Sequence, residues 1–110
     1  MTAMPVRVEH GDKTITIKLS GEIDHHTAKS LREEIDRCAK SYTPSILTMD
    51  FKGVEFMDSS GIGLVLGRYR LMQELEGSLR LINMPPHLRK VMRVAGIENL
   101  NISIDGGEKT

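Results

Sequence analysis

Several things are scarce in this sequence, and each scarcity removes a class of function. Cys38 is the only cysteine in 110 residues, so no disulfide can form within the chain. No stretch approaches the ~20 apolar residues of a membrane-spanning helix, and Met1-Thr2-Ala3-Met4-Pro5-Val6-Arg7 lacks the apolar core of an export signal. Neither sign of charge is in excess: 15 Lys plus Arg balance 15 Asp plus Glu, which gives no general attraction to nucleic acid or to an anionic membrane. The expectation is a soluble, cytoplasmic protein with no direct nucleic-acid partner and no membrane partner.

The materials of catalysis are thin as well. Asp24-His25-His26 invites a metal site or a phosphoesterase signature, but adjacent histidines on one helical turn diverge. Only His10 and His87 remain as further imidazoles, and no second acidic cluster has ligand spacing, so no metal is expected. Asp24, just before an apolar-periodic segment, reads as a helix cap. A serine hydrolase lacks its Gly-x-Ser-x-Gly elbow, because Phe56 and Met57 precede Asp58-Ser59-Ser60-Gly61, and no histidine is marked as the base. The basic residues Arg68, Arg70, Arg80, Arg89, Lys90 and Arg93 are spread over two predicted helices and a strand. With Tyr69 alone among them for base stacking, they read as solvated faces.

What is present is the pattern of one α/β domain spanning residues 1–110, a length that buries roughly two-thirds of its unfolded surface. Val6 and Val8 alternate before Gly11-Asp12, and Ile15, Ile17 and Leu19 after it, which predicts a hairpin. Ala28, Leu31, Ile35, Cys38 and Ala39 form the apolar stripe of an amphipathic helix, with Glu33–Arg37 and Arg32–Asp36 as i,i+4 pairs on its polar side. After the break at Ser41-Tyr42-Thr43-Pro44-Ser45, the run Ile46 to Phe51 reads as a central parallel strand. Ser78 to Asn83 reads as another strand. Pro86 suits the first turn of a third helix with Leu88, Val91, Met92 and Ala95 inward, ended by Gly96. Leu100, Ile102 and Ile104 alternate as a last strand, and 105–110 form a loose tail. The expected order is β-β-α-β-α-β-α-β, a mixed sheet of four or five strands with packed helices. Ile62, Val65, Leu66, Leu31, Ile35, Leu47, Met49 and Leu81 are the expected core.

The suggestive chemistry gathers where strand gives way to helix near residue 58. Ile62, Val65, Leu66, Tyr69 and Met72 have the spacing of a buried helix face over about 61–76, with Leu64, Leu71 and Leu75 as a second apolar line. That second line fits either burial under a neighbouring helix or a partner surface. Gly77 is placed to end the helix. Ser60 is the expected cap, leaving Ser59 pointing outward, where a phosphate would meet the positive end of the helix but also the Asp58 carboxylate. Both serines as plain caps and turn formers is the alternative reading. Gly61, Gly63 and Gly67 each weaken an isolated helix by about 1 kcal/mol relative to Ala if internal, which suggests that either neighbouring backbone or a bound partner comes close there.

Phe56-Met57-Asp58-Ser59-Ser60-Gly61-Ile62-Gly63, followed by Leu66-Gly67-Arg68-Tyr69, resembles the phosphorylation-site region of bacterial anti-sigma factor antagonists, the STAS-domain family, and most closely its sporulation-type anti-sigma-F antagonists. Gly21-Glu22-Ile23-Asp24-His25-His26-Thr27-Ala28 matches a second block of that family. The resemblance implies a STAS fold and a protein that is not an enzyme. Unphosphorylated, it would bind an anti-sigma factor that is also a serine kinase, and so release a sigma factor. Phosphorylation on Ser59 would end that binding, and a serine phosphatase would restore it. ATP and Mg²⁺ would belong to the kinase, with no cofactor of the chain's own. The partner-binding surface implied is Asp24, His25, His26, Asp58, Ser59, Ser60, Gly61 and Gly63. A STAS scaffold, or an antagonist, in another stress-signalling partner-switching system is the alternative.

Overall fold

In a computed structural model that describes residues 6–105, the elements follow the expected order. They are β1 (Val6–Gly11), β2 (Thr14–Ile23), α1 (His25–Tyr42), β3 (Ile46–Met57), α2 (Ser59–Glu74), β4 (Ser78–Ile82), α3 (Pro86–Val94), a 3-10 turn (Ile97–Asn99) and β5 (Ser103–Asp105). The sheet runs β1-β2-β3-β4-β5, with β1 antiparallel to β2 and every other pairing parallel. Three successive crossovers move across the sheet in one direction. Because such crossovers are right-handed, their helices lie on the same face.

Burial agrees with this one-sided arrangement. Ile15, Ile17 and Leu19 of β2, Leu47, Met49 and Phe51 of β3, and Leu79 and Leu81 of β4 join Leu31, Ile35, Val65, Met72, Leu88 and Met92 of the helices in one core. The opposite face carries Thr16, Thr48 and Arg80 in one row and Lys18, Asp50 and Ile82 in the next. Thr48 and Asp50 are nevertheless buried, and the Asp50 carboxylate accepts hydrogen bonds from the Lys52 backbone N–H at 3.0 Å and from Asn83 Nδ2 at 3.1 Å.

The strand at the centre is longer than the apolar run suggested. β3 continues through Lys52 and Gly53 to Met57, and its register against β2 slips between Lys18 and Ser20 and again between Gly21 and Glu22. At each slip β3 contributes the extra residue, which turns Val54 and Met57 inward and leaves Phe56 exposed. A side chain at Gly53 would press on the Leu19 carbonyl at 3.0 Å, so glycine permits the close approach of β2 and β3 at the first slip.

α2 is rotated from the expected phase. Its buried positions are Gly61, Leu64, Val65, Arg68, Leu71 and Met72, while Ile62 and Leu66, expected in the core, are only partly buried. The reason is α1, which packs beside α2 and covers Leu64, leaving that residue 4% exposed. Arg68, 5% exposed, interrupts the apolar stripe because it pairs with Asp36 of α1. The expected pairs Glu33–Arg37 and Arg32–Asp36 are replaced by Glu34–Arg37 within α1 and by this interhelical pair. Gly77 does not take the left-handed position after α2. Glu76 does, at φ 61°, and the Gly77 N–H closes the turn on the Met72 carbonyl at 2.7 Å. Glycine is still required at 77, where a side chain would meet the Ser45 and Pro44 carbonyls at 2.9 and 3.0 Å. Ala95, expected inward on α3, is instead the exposed residue just after it, and Gly96 follows at φ 83° as the expected stop. Asp105 belongs to β5 and pairs with Arg80, so it is not part of a loose tail; 106–110 lie outside the described residues.

Candidate functional site

The parallel pairing of β2 with β3 builds the site. Ile23 stands opposite Met57, so the next residue on each strand, Asp24 and Asp58, opens a helix at neighbouring points on one edge of the sheet. The backbone N–H of Asp58 donates to the Ile23 carbonyl at 3.1 Å and ties the two corners together. Thus Asp24-His25-His26 and Asp58-Ser59-Ser60 become adjacent surface, at the carboxyl ends of parallel strands where open α/β sheets hold their ligands.

Both aspartates are caps. Asp24 Oδ1 accepts from the His26 and Thr27 backbone N–H groups, each at 2.9 Å, and Thr27 Oγ1 accepts from the Asp24 N–H at 2.9 Å, a reciprocal box. The Thr27 N–H is the largest influence holding the Asp24 carboxyl below the usual carboxylate range. At the second corner Asp58 Oδ1 accepts from the Ser60 N–H at 2.8 Å. Ser60 is therefore not the cap assigned to it from sequence; Asp58 is, and Ser60 supplies the N–H that is capped. Aspartate is among the preferred capping residues, and two positions upstream of Ser60 it has the extended backbone a cap needs. Ser59 becomes the first helical residue, exposed, with no capping duty.

The residues expected to meet a partner divide on geometry. His25, His26, Ser59 and Gly63 are exposed, and Asp24, Asp58 and Ser60 are half-buried. Gly61 is buried: a side chain there would overlap Met57, so this glycine seats the helix on β3 and offers no surface. At Gly63 and Gly67 a side chain would meet nothing within 4 Å, so no neighbour among the described residues accounts for glycine at either. His25, His26, Ala28, Lys29 and Arg32 of α1 face Ser60, Gly63 and Leu64 of α2 across a cleft of about 500 Å³. Among the described residues no cluster of three or more His, Cys, Asp and Glu side chains is arranged to hold a metal ion.

The STAS domain profile matches residues 5–106. The chain belongs to the STAS-domain family of anti-sigma factor antagonists. It is 39% identical over 85 residues to the anti-sigma F factor antagonist of Lysinibacillus sphaericus, covering 77% of this chain and 73% of that one. It is 30% identical over 95 residues to the anti-sigma-B factor antagonist of Bacillus subtilis, covering 86% and 85%. Among solved structures it is similar to the anti-sigma factor antagonist SpoIIAA. The unphosphorylated form superposes with TM-score 0.79 at 34% identity, over 94% of this chain and 89% of that one. The phosphorylated form, from Bacillus, gives 0.72 at 34%, over 94% and 92%.

Sequence reasoning did not single out two features of this STAS domain. Phe56, 51% exposed, pairs with Glu22 at the rim of the site rather than packing inward. Its exposure comes from the second slip of β3, for which Gly21, at φ 79°, was the available signal. The Arg68–Asp36 pair, which joins α2 to α1, was the other. Arg68 Nε and Asp36 Oδ1 stand 2.8 Å apart but off the line of a well-aligned hydrogen bond, and burial pulls the guanidinium below its ordinary pKa while Asp36 opposes that. No helix among the described residues is long and apolar enough to cross a membrane.

Proposed function

We propose that the unphosphorylated chain binds an anti-sigma factor that is also an ATP-dependent serine kinase, that this frees a sigma factor, and that the kinase then phosphorylates Ser59 and dissociates. A serine phosphatase returns the chain to its binding form, and the cycle runs in the cytoplasm. The observation that carries the reading is the exposed Ser59 hydroxyl, released from capping by Asp58 and set beside Asp24-His25-His26. The chain supplies the acceptor hydroxyl, while ATP, Mg²⁺ and the groups that position them belong to the kinase. A phosphate adds about −1.5 to −2 charges next to Asp58 on a surface that must lose water for docking, so release needs no refolding of this domain.

The 39% identity to an anti-sigma F antagonist supports the sporulation-type partner. The 30% identity to an anti-sigma-B antagonist supports the second reading, a stress-signalling partner. Incubating the chain with ATP, Mg²⁺ and each candidate kinase, then mapping phosphopeptides by mass spectrometry, tests both. The expected product carries one phosphate, on Ser59, from the anti-sigma F type of kinase, and Ser59→Ala accepts none. Incorporation at Ser60, or unchanged incorporation into Ser59→Ala, refutes the assignment.

A further inference from the structure

The cleft between α1 and α2 has a charge imbalance that the neutral chain as a whole lacks. Lys29 and Arg32 line it together with His25 and His26, and among the described residues no carboxylate does. The acidic residues around it are engaged or turned elsewhere. Asp24 and Asp58 cap the two helices, and Asp36 pairs with Arg68. Glu22 and Glu33 are exposed and line no part of the cleft. Among the described residues neither Lys29 nor Arg32 forms an ion pair. Ser59 borders this cleft: Ser60, next in sequence, and Gly63, on the same helix face one turn later, are lining residues. A side chain at Gly63 would meet nothing within 4 Å, so glycine leaves the cleft unfilled one helical turn from Ser59.

We infer that the cleft is an intramolecular phosphate site, in which Lys29 and Arg32 hold the phosphate of phosphorylated Ser59. A phosphate carries acceptor oxygens and a charge near −2, and a facing Lys and Arg are the groups that give it charge-assisted hydrogen bonds. Placed there, it covers the cations beside Asp24-His25-His26 and withdraws them from a docking partner. Phosphorylation then removes a positive surface as well as adding a negative one. The inference rests on Ser59 being the acceptor, and its test separates the two.

Phosphoserine is installed at position 59 by genetic encoding, so no kinase is needed, and its titration is followed by ³¹P NMR at 0.15 M salt, where charges beyond about 8 Å are largely screened. Free phosphoserine titrates near about 6. In Lys29→Ala/Arg32→Ala the midpoint is expected to rise above that of the otherwise unaltered phosphoprotein, because the dianion loses its cations. Lys40→Ala/Arg70→Ala removes the same charge from exposed positions outside the cleft and corrects for net charge and for the constant influence of Asp58 and the α2 start. A rise exceeding the control's by at least about 0.5 unit is the expected result. Any smaller difference overturns the cleft assignment. Because the phosphate is placed without the kinase, a kinase that chooses another residue refutes the functional cycle while leaving this titration valid.

Discussion

Exchanging the roles of Asp58 and Ser60 makes a measurable difference. Asp58 Oδ1 receives the Ser60 N–H at 2.8 Å, and no other side chain among the described residues caps α2. Asp58→Ala removes that acceptor together with a carboxylate at the positive end of a helix. Loss of a cap costs ~0.5 to 2 kcal/mol, typically ~1. The charge contributes a further ~0.3 to 1 kcal/mol, which Asp58→Asn isolates by keeping a capping oxygen without the charge. Ser60→Ala removes only a half-buried hydroxyl, so it should lie within ~0.5 kcal/mol of wild type. The expected order of destabilisation is Ser60→Ala, then Asp58→Asn, then Asp58→Ala at ~1 to 2 kcal/mol. In a domain of this size ~1 kcal/mol lowers Tm by roughly 4 to 6 °C. Urea unfolding followed by circular dichroism, with equal slopes across the variants, resolves these steps. If Ser60→Ala proves more destabilising than Asp58→Ala, the capping geometry described for α2 is wrong.

Other positions give independent checks. Asp36→Ala leaves the Arg68 guanidinium buried without its partner, and should cost ~2 to 4 kcal/mol, at or below the usual range for a broken buried pair because the Asp36 side chain is 26% exposed. The urea midpoint of Asp36→Ala against that of Arg68→Met/Asp36→Ala, which should recover part of the loss, checks it. Gly63→Ala should stabilise the isolated domain by up to ~1 kcal/mol, since the added methyl meets no neighbour, while weakening capture by the anti-sigma partner. Gly77→Ala should instead destabilise, its methyl pressing on the Pro44 and Ser45 carbonyls, and thermal melts of the two variants should move in opposite directions. Asp24, with a depressed pKa, contributes stability that is present above its ordinary value of 3.8 and lost as pH falls through the lower folded value. The stability gap between wild type and Asp24→Asn should therefore be level from pH 7 to 5 and shrink below about pH 4; a gap constant down to pH 3 would contradict the capping account.

The hairpin, the element order, the Asp24 cap and the inward faces of β2, β3, α1 and β4 were legible because each depends on local periodicity or a local turn signal. What was not legible depends on contacts between distant elements. The phase of α2 was misread because Arg68 looks like a surface residue until Asp36, 32 positions earlier, is placed beside it. Ile62 and Leu66 were overvalued for the same reason. The slips of β3 leave almost no trace in the pattern, since Gly53 and Gly21 announce irregularity without saying which strand gains a residue. At the site, both serines and Asp-His-His were visible as types. Their adjacency came from the parallel register of Ile23 with Met57, and residues alone suggested it only through the family resemblance. The Ser60 assignment failed on where α2 begins, at Ser59 rather than two residues later at Gly61, and helix ends are the least certain feature of any helix read from sequence.

In the proposed cycle, one phosphate on Ser59 decides whether the anti-sigma partner stays bound. Its most direct test compares the affinity of the unphosphorylated chain and of the chain carrying phosphoserine at position 59 for the purified anti-sigma factor, by isothermal titration in the presence of nucleotide and Mg²⁺. Tight binding of the first is expected, and a loss of at least about a hundredfold, roughly 2.7 kcal/mol, for the second, with both proteins showing the same thermal unfolding cooperativity. Equal affinities for the two forms would contradict it.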